Sequence, residues 1–531
     1  MNANRTPSHM YDALVIGAGH NGLVCANYLA RAGRKVLVLE RGSEIGGGAI
    51  TREIAPDFRV SACAHVLDMF EPDIFRDLKL KKHGLVYSRQ ALPIVALAED
   101  GRHLYLGDDQ NRAESSIAPH GFLDAKAYIE FSRTLARISE AIRPLAENGV
   151  VRLVGEPLSR GVYARIDRGL ARLDKDERRL VQELVPGPLA SILERYFETP
   201  LLQAAVAFSS TLGLSIGPRS PGSGLAFLRR IALERRGKRS LAVHPVGGVG
   251  ALSEALGAAA LARGVEIRTG VNVAQILVED GQVAGIQLDD GELITARSVV
   301  SSIEPSQTFL GLLPAGVLDA GFRRRVTNVR STAMTAKVHL ALDGLPEFKG
   351  LNIPDMASRL VIAPSLNVIE EGYSAALEGR FSADPVMEVV LPSIHDPSLA
   401  PIGQHVMSVV VQYAPYEIVG GWDKGRDGLA ERVLTTLGRY APGIEEKVIA
   451  GEILVPPDIE SVFGVPGGHW HHIDLAPDQL YWLRPVPGAE DHRTPLCGLY
   501  LCGAATHPGG GVSGLPGRNA ARALIAQERR S

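Results

Sequence analysis

The chain begins with a short apolar run, a glycine-rich turn and a segment with apolar residues at helical spacing. Residues 11–16 (YDALVI) have the composition of a buried parallel strand. The turn GAGHNG follows at once, and the helical pattern continues to Gly33, where a helix is expected to end. A second apolar run, at residues 36–39, leads directly into Glu40. This order of apolar and polar positions predicts a βαβ unit.

The glycines of that turn have the spacing of a dinucleotide-binding motif. Gly17 permits the tight turn from strand to helix, Gly19 lets the backbone approach a pyrophosphate, and Gly22 allows close packing of helix on strand. The free N–H groups and the dipole at the helix N-terminus favour phosphates. Glu40 stands where an acid accepts hydrogen bonds from ribose hydroxyls. Strand, helix and acid occur together, which favours a dinucleotide site over a purely structural glycine turn.

A glycine run just after Glu40, at residues 46–48, favours FAD over NAD. Such a run can bring backbone amides to the second side of a pyrophosphate, as the larger cofactor requires. Spacing alone does not separate the two cofactors, so this step also draws on the family resemblance given below.

Three later segments complete this framework. Residues 265–302 contain apolar runs separated by Asp-Gly turns, which predicts successive β-hairpins. A strand at 499–502, a glycine-rich turn and a helix at 516–527 predict a second helix N-terminus that faces the cofactor, rather than a mere docking helix. The glycine turn and helix at 245–264 follow no apolar strand, so a separate NAD(P)H site is not expected.

The remaining segments carry no nucleotide motif. Periodic apolar residues predict helices at 122–145, 164–185 and 189–197, and apolar runs predict strands at 336–342 and 406–411. We therefore expect an α/β fold in which a Rossmann-like FAD-binding domain carries an inserted α+β substrate domain. The FAD-binding domain is assigned to residues 1–74, 241–309 and 456–531, and the substrate domain to residues 75–240 and 310–455.

Composition narrows the class of protein. A length of 531 residues suggests two or three domains, and a formal net charge of -3 gives no reason to expect a nucleic-acid partner. The four cysteines, at positions 25, 63, 497 and 502, form neither a CxxC pair nor a metal quartet. The polar N-terminus has no apolar signal segment, and the longest apolar stretch, residues 201–217, is interrupted by polar residues. These features predict a soluble, cytoplasmic protein.

The motifs together resemble the phytoene desaturase-like branch of FAD-dependent oxidoreductases, which is related to amine oxidases and to carotenoid desaturases and isomerases. Within it, the chain is similar to the group that contains pyridine nucleotide-disulfide oxidoreductase domain-containing protein 2. The likeness is carried by residues 12–33, 36–56, 199–224, 244–256, 468–488 and 499–521. It implies a glutathione-reductase-like FAD-binding domain and FAD as the cofactor.

The resemblance also assigns cofactor contacts. They carry over to Gly17, Gly19, Asn21, Gly22, Glu40, Arg41, Gly47 and Gly48, to Val273 at the adenine, and to Gly503, Gly511 and Val512 near the ribityl chain and flavin ring. The paired redox cysteines of disulfide reductases have no match, because Cys25 stands alone in the first helix. Disulfide chemistry is therefore not expected.

No universal catalytic side chain follows from the resemblance, and the catalytic residues stay unassigned. His472, His65 and His244 are candidates for proton transfer near the flavin, since histidine titrates near neutrality. His469, His471 and His472 invite a metal site, but Asp474 is the only acid nearby, so we favour a role in lining the site or in structural hydrogen bonding.

A basic run at residues 229–240 allows two interpretations. Its six basic side chains are Arg229, Arg230, Arg235, Arg236, Lys238 and Arg239. They suit peripheral contact with an anionic membrane from which lipid substrates are drawn. A solvated charged face is the default interpretation.

The sequence thus predicts an FAD-dependent dehydrogenase or desaturase. It would remove hydride from a C–H bond of a small, apolar, unsaturated or terpenoid-like substrate and pass electrons to oxygen, a quinone or another acceptor. Three alternatives stay open: a redox-neutral double-bond isomerase, an amine oxidase, and a flavin-binding interaction protein without turnover. The amine oxidase ranks lower, because aromatic residues, from which an amine cage is built, make up only 5% of the chain.

Overall fold

The computed structural model describes residues 10–88, 91–148, 160–234 and 242–529. The strands are β1 Tyr11–Ile16, β2 Val36–Leu39, β3 Thr51–Ala55, β4 Phe58–Ser61, β5 Ile94–Ala96, β6 Leu104–Leu106, β7 Glu266–Arg268, β8 Val273–Glu279, β9 Gln282–Leu288, β10 Leu293–Ser301, β11 Thr335–Leu342, β12 Arg359–Ile362, β13 Met387–Val390, β14 His405–Gln412, β15 Val448–Leu454 and β16 Leu499–Leu501. The helices are α1 His20–Arg31, α2 Pro72–Leu78, α3 Gln110–Ile117, α4 Phe122–Glu147, α5 Arg160–Ala171, α6 Lys175–Leu184, α7 Leu189–Tyr196, α8 Pro200–Thr211, α9 Ser223–Leu233, α10 Gly250–Leu261, α11 Ala320–Thr327, α12 Ile353–Met356, α13 Leu366–Leu377, α14 Trp422–Tyr440, α15 Pro456–Phe463 and α16 Leu515–Glu528.

The first sheet is centred on β1. Strands β2 and β10 are its parallel neighbours, and β7 and β16 continue the sheet in parallel on either side. Strand β10 pairs with β1 over residues 296–301 and antiparallel with β9 over residues 293–295, so the predicted LIT and SVVSS runs form one strand. The β8–β9 hairpin extends from that end. The predicted βαβ unit, the hairpins and the C-terminal strand–turn–helix are confirmed.

Helix α1, which begins at the glycine turn, is held between α10 and α16. Its residues 21–29 are buried, since these two helices cover it. At the contact with α16, a Cβ on Gly517 would lie 2.1 Å from the carbonyl oxygen of Asn21, so the close approach requires glycine. The C-terminal helix therefore fixes the first motif in place.

The second sheet has the order β15-β11-β14-β13-β12-β5-β6 and is antiparallel except between β12 and β5. The predicted strands at 336–342 and 406–411 are confirmed to within one residue at each end. Apolar residues of α14 cover one side of this sheet. Helices α4, α7, α8 and α9 form a second apolar cluster that joins the sheet at β5 and β6.

The predicted helix at 164–185 is wrong as a single element. It is divided into α5 and α6, because the Asp174 carboxylate accepts a hydrogen bond from the N–H of Glu177 and the Glu177 carboxylate accepts one from the N–H of Asp174. This capping box starts a new helix. The segment 75–240, read as largely helical, also supplies β5 and β6 to the second sheet.

The division into two domains remains our proposal. Phe309 and Phe322 pack edge to face and share an apolar cluster with Val299 of β10. Residues 310–326 therefore pack on the first sheet, and we place the boundary near residue 330 rather than 309. Among the described residues, no helix combines the length and the apolarity needed to cross a bilayer.

Candidate cofactor site and substrate cavity

A cavity of about 680 Å³ lies at the carboxyl ends of the central strands of the first sheet. Its wall includes residues at the ends of β1, β2 and β10 and side chains of β12, β13 and β14. Ligands of open parallel sheets bind at this edge, and the volume is typical of small-molecule pockets. The cavity thus joins the predicted cofactor motifs to the predicted substrate region.

The glycines of the first turn have two different roles, in packing and in keeping the cavity open. Gly17 has a φ of +92°, in the region that favours glycine, and a Cβ on Gly22 would lie 2.1 Å from the carbonyl oxygen of Gly17. Gly19 lines the cavity, and a Cβ there would meet nothing within 4 Å. Gly17 and Gly22 therefore shape the turn, whereas Gly19 keeps the space in front of α1 open.

Glu40 is held at the cavity edge by backbone donors. Its carboxylate accepts hydrogen bonds from the N–H of Ala18 at 2.7 Å and of Gly42 at 2.8 Å. A backbone bridge between Gly19 and Gly46 brings the second glycine run beside the first, so that Gly47 and Gly48 also line the cavity. The carboxylate has lone pairs left for ribose hydroxyls.

Four of the remaining predicted contacts also line the cavity. They are Arg41, Val273, the first residue of β8, Gly511, which has a φ of +103°, and Val512. Gly503 lies behind the wall, where a Cβ would be 2.5 Å from the carbonyl oxygen of Ser302. Ten of the twelve predicted contacts thus border one cavity, and Gly22 and Gly503 pack directly behind it.

Three buried polar atoms at this cavity fit a polar cofactor. His20 Nε2, Asn21 Oδ1 and His472 Nδ1 have no hydrogen-bond partner among the described residues, and all three residues line the wall. Buried polar atoms in folded proteins are nearly always paired. The unsatisfied atoms and the open space at Gly19 therefore fit the phosphates and ring heteroatoms of a dinucleotide.

The candidate histidines separate into two groups. His65 and His472 line the cavity, and burial lowers the pKa of His65 to about 4 and that of His472 to about 3. His244 was expected near the flavin but is not part of the wall. Its segment bonds to Ser88, and its ring faces His395 at 5.7 Å. The neutral cavity histidines are hydrogen-bonding groups rather than acids at pH 7.

His471 also lines the cavity, whereas His469 lies outside it, 3.7 Å from the Asp474 carboxylate. The described residues contain no cluster of three or more histidine, cysteine or acidic side chains arranged to hold a metal.

A buried polar chain that reaches the cavity wall was not predicted. His65 Nε2 lies 3.0 Å from the Glu388 carboxylate, and Lys337 Nζ lies 3.1 Å from His65 Nδ1. The Arg359 guanidinium donates twice to the second Glu388 oxygen, at 2.7 and 3.1 Å. Of the four, His65, Arg359 and Glu388 line the cavity and Lys337 lies behind His65.

The electrostatics of this chain fix its protonation. Burial alone would raise the pKa of Glu388, but Arg359 and His65 hold it well below its usual range. Burial lowers the pKa of Lys337 to about 8, so the ammonium form prevails at neutral pH. With Glu388 ionised and Lys337 protonated, Nε2–H of neutral His65 donates to Glu388 and Nδ1 accepts from Lys337.

The sequence does contain a signal for these residues. Lys337 and Glu388 each interrupt a run that is otherwise apolar, AKVHLAL and VMEVV. Every residue of β11 and β13 is buried, so both charges must find partners inside the protein. The partners themselves come from distant segments, which the run alone does not reveal.

Comparison with known proteins now identifies the family. A model of flavin-containing amine oxidoreductases matches residues 22–525. The chain belongs to this family. It is therefore an oxidoreductase, and its cofactor is FAD.

Three relatives span nearly the whole chain. Pyridine nucleotide-disulfide oxidoreductase domain-containing protein 2 of Rattus norvegicus is 36% identical, over 97% of this chain and 93% of its own length. A limonene dehydrogenase polypeptide of Castellaniella defragrans is 29% identical, over 97% and 94%. The neurosporene-forming phytoene desaturase of Cereibacter sphaeroides is 26% identical, over 97% and 94%. The predicted resemblance to phytoene desaturase-like oxidoreductases is confirmed.

A solved structure supports the fold. Wild-type putrescine oxidase bound to putrescine superposes with a TM-score of 0.59 at 16% identity, over 97% of this chain and 99% of that one. A likeness at this identity concerns the fold, and it agrees with the mixed α/β architecture built around the first sheet.

Two predictions about individual side chains need correction in this family member. Arg229 is buried and the Arg230 side chain is only 12% exposed, so neither belongs to a solvated face or a membrane surface. Arg230 pairs with Asp68 at 2.7 Å and with Glu234. The other four basic residues of the run, Arg235, Arg236, Lys238 and Arg239, lie outside the described residues.

Cys25 does not stand alone, because the fold brings its thiol against that of Cys502 in the core of the first sheet. Burial raises the pKa of Cys502. Redox-active cysteines instead have lowered pKa values and some exposure. The contact therefore does not restore the disulfide-reductase interpretation.

Proposed function

We propose that this chain is an FAD-dependent dehydrogenase of the desaturase type. Its substrate is a largely apolar molecule, unsaturated or terpenoid-like, and the electrons pass on to oxygen, a quinone or another acceptor. Ten of the twelve predicted residues line the space that holds the FAD, with the pyrophosphate at Gly19 and Gly47, the ribose at Glu40 and the flavin ring at Gly511 and Val512.

The apolar side chains of the cavity wall carry this proposal. Met69, Leu212 and Val410 give it apolar sides, and Trp470 adds one aromatic side chain. Such a wall suits a hydrocarbon body. The similarity to the limonene dehydrogenase polypeptide and to a phytoene desaturase supports the same substrate class.

The chain's own residues position the reaction and exclude water. Bound FAD supplies the acceptor for a hydride from one C–H bond. The adjacent carbon loses a proton as the double bond forms, and we assign its path to His65. While Lys337 is protonated, it donates to Nδ1 of His65, and the proton of the imidazole stays on Nε2. Loss of the Lys337 proton lets Nδ1–H donate to the neutral amine instead, which leaves Nε2 able to accept a proton.

This assignment predicts a rate that depends on pH. Because Lys337 blocks His65 below its pKa of about 8, flavin reduction by substrate should accelerate about tenfold per pH unit up to that value and then level off. Anaerobic stopped-flow traces between pH 6 and 9.5 measure this. Lys337→Met should abolish the sloping limb, whereas Lys424→Met on the exposed surface of α14 should retain it. A limb that survives in Lys337→Met would exclude the path.

Anaerobic mixing of the purified holoenzyme with matched substrates tests the function itself. A cyclic monoterpene, a linear polyene and a diamine are each added while the absorbance of oxidised flavin is followed. Bleaching by either hydrocarbon supports the proposal. Bleaching by the diamine alone indicates an amine oxidase, isomerisation that needs prior reduction indicates an isomerase, and no response to any compound favours a binding role.

A further inference from the structure

Two arginines lie buried beneath the glycine loop at residues 509–514, and among the described residues neither forms an ion pair with a carboxylate. Arg229 donates from Nε to the carbonyl of Pro508 at 2.8 Å and from Nη2 to that of Gly510 at 2.6 Å. Arg484, which is 0% exposed, donates to five backbone carbonyls, including that of Ala504 at 3.0 Å. Within the described ranges, neither guanidinium forms an ion pair. Arg230, the next residue along α9, forms two.

Charges placed in this way are costly. Burial of a cation without a counterion costs several kcal/mol, and carbonyl dipoles offset only part of that. Burial lowers the pKa of Arg229 only to about 10, so it stays charged at neutral pH. Arg229 therefore places a positive charge, held by carbonyl groups alone, directly beside the loop.

Among the described residues, no neighbouring carboxylate bonds to Arg229 itself. Burial raises the pKa of Tyr481 to about 12 and lowers that of His507 to about 3, and His471 is likewise neutral because burial lowers its pKa. Asp68 and Glu234 are already paired with Arg230. Both carboxylates therefore bond to Arg230, and the Arg229 guanidinium is the charged group that contacts the Gly510 carbonyl directly.

Arg229 also orients the loop. In a trans peptide the C=O and the following N–H point in opposite directions, so a Gly510 carbonyl bound to Arg229 turns the N–H of Gly511 away from the arginine. Gly511 lines the cavity. A cation on the carbonyl also polarises the peptide, which strengthens its N–H as a donor. The contact thus presents a fixed, strengthened donor on the cavity side.

We propose that Arg229 is a positioning residue for the flavin. It fixes the Gly510–Gly511 peptide and supplies positive charge behind it, so that the reduced flavin is bound as its anion. A hydride carries two electrons and one proton, so its transfer from substrate to oxidised flavin yields this anion directly. No second proton is then taken up at N1 of the flavin. The inference rests on the proposed place of the flavin ring at Gly511, but not on the identity of the substrate.

Redox titration of the holoenzyme tests this inference, with dithionite as the reductant so that no substrate is involved. In Arg229→Gln, the affinity for reduced flavin should fall at least tenfold relative to the affinity for oxidised flavin. The two-electron potential of the flavin should therefore fall by about 30 mV or more. Sulfite, whose flavin adduct also carries negative charge at N1, should bind at least tenfold more weakly. Arg229→Lys should recover part of both effects. Arg195→Gln, at an exposed arginine paired with Glu183, should change neither.

The absorbance of the reduced wild-type holoenzyme between pH 5 and 8 provides a second readout that needs no variant. The proposal predicts the anionic spectrum throughout. A reduced flavin that takes up a proton across this range as it does in water would overturn it, as would an unchanged potential in Arg229→Gln. Failure of the proposed function has a different signature, because the holoenzyme would then keep these flavin properties while no hydrocarbon reduces it.

Discussion

Replacement of Gly19 by alanine is expected to weaken FAD binding by at least a hundredfold, about 2.7 kcal/mol, while the stability of the apoprotein stays unchanged. A Cβ at this position meets no protein atom within 4 Å, and the backbone φ of -62° suits alanine. The added methyl group instead occupies cavity space that the pyrophosphate needs. Titration of the apoprotein with FAD, followed by flavin fluorescence, measures the affinity, and thermal unfolding of the same apoprotein measures the stability.

Gly438→Ala is the matched control. Gly438 lies within α14, and a Cβ there also meets nothing within 4 Å. This change should leave FAD affinity as it is and stabilise the helix by up to about 1 kcal/mol. If Gly19→Ala bound FAD as tightly as the control does, the pyrophosphate would not lie at this turn.

Replacement of Glu388 by alanine should lower the free energy of unfolding by about 3–5 kcal/mol. The change leaves the Arg359 guanidinium and the Lys337 ammonium buried without the carboxylate that compensates them. A lower urea midpoint for loss of the second sheet is the expected readout.

A double variant separates the charge from the packing. Glu388→Leu with Arg359→Met removes both partners and fills their space with apolar groups, so it should be more stable than Glu388→Ala. Glu388→Gln keeps acceptors for His65 and Arg359 and should fall between the two. Equal urea midpoints for Glu388→Ala and the double variant would contradict this prediction. They would show that the unpaired Arg359 charge does not lower the free energy of unfolding.

The cofactor half of the molecule was predictable because its signals are local. Gly17, Gly19, Gly22 and Glu40 lie within 24 residues of one another, and the chemistry of a strand–turn–helix places them without reference to the rest of the chain. Hairpin turns and the C-terminal strand–turn–helix are equally local. These elements are confirmed to within a residue or two.

The substrate half depended on contacts between distant segments. His65, Lys337, Arg359 and Glu388 come from four separate parts of the chain and meet only in the folded protein. For the same reason the interpretation of the basic run was wrong. Arg229 and Arg230 bond to Gly510 and Asp68, partners that are distant in the sequence. His244 does not line the cavity, and its backbone carbonyl pairs with the distant residue Ser88, a contact that the local sequence does not reveal.

A single anaerobic turnover tests the central claim most directly. Holoenzyme with oxidised FAD is mixed with an equimolar cyclic monoterpene, and both the flavin spectrum and the mass of the product are measured. We predict one reduced flavin for each product molecule, and a product lighter than its substrate by two hydrogen atoms. A product of unchanged mass, or flavin that stays oxidised with every hydrocarbon while an amine reduces it, would contradict the account.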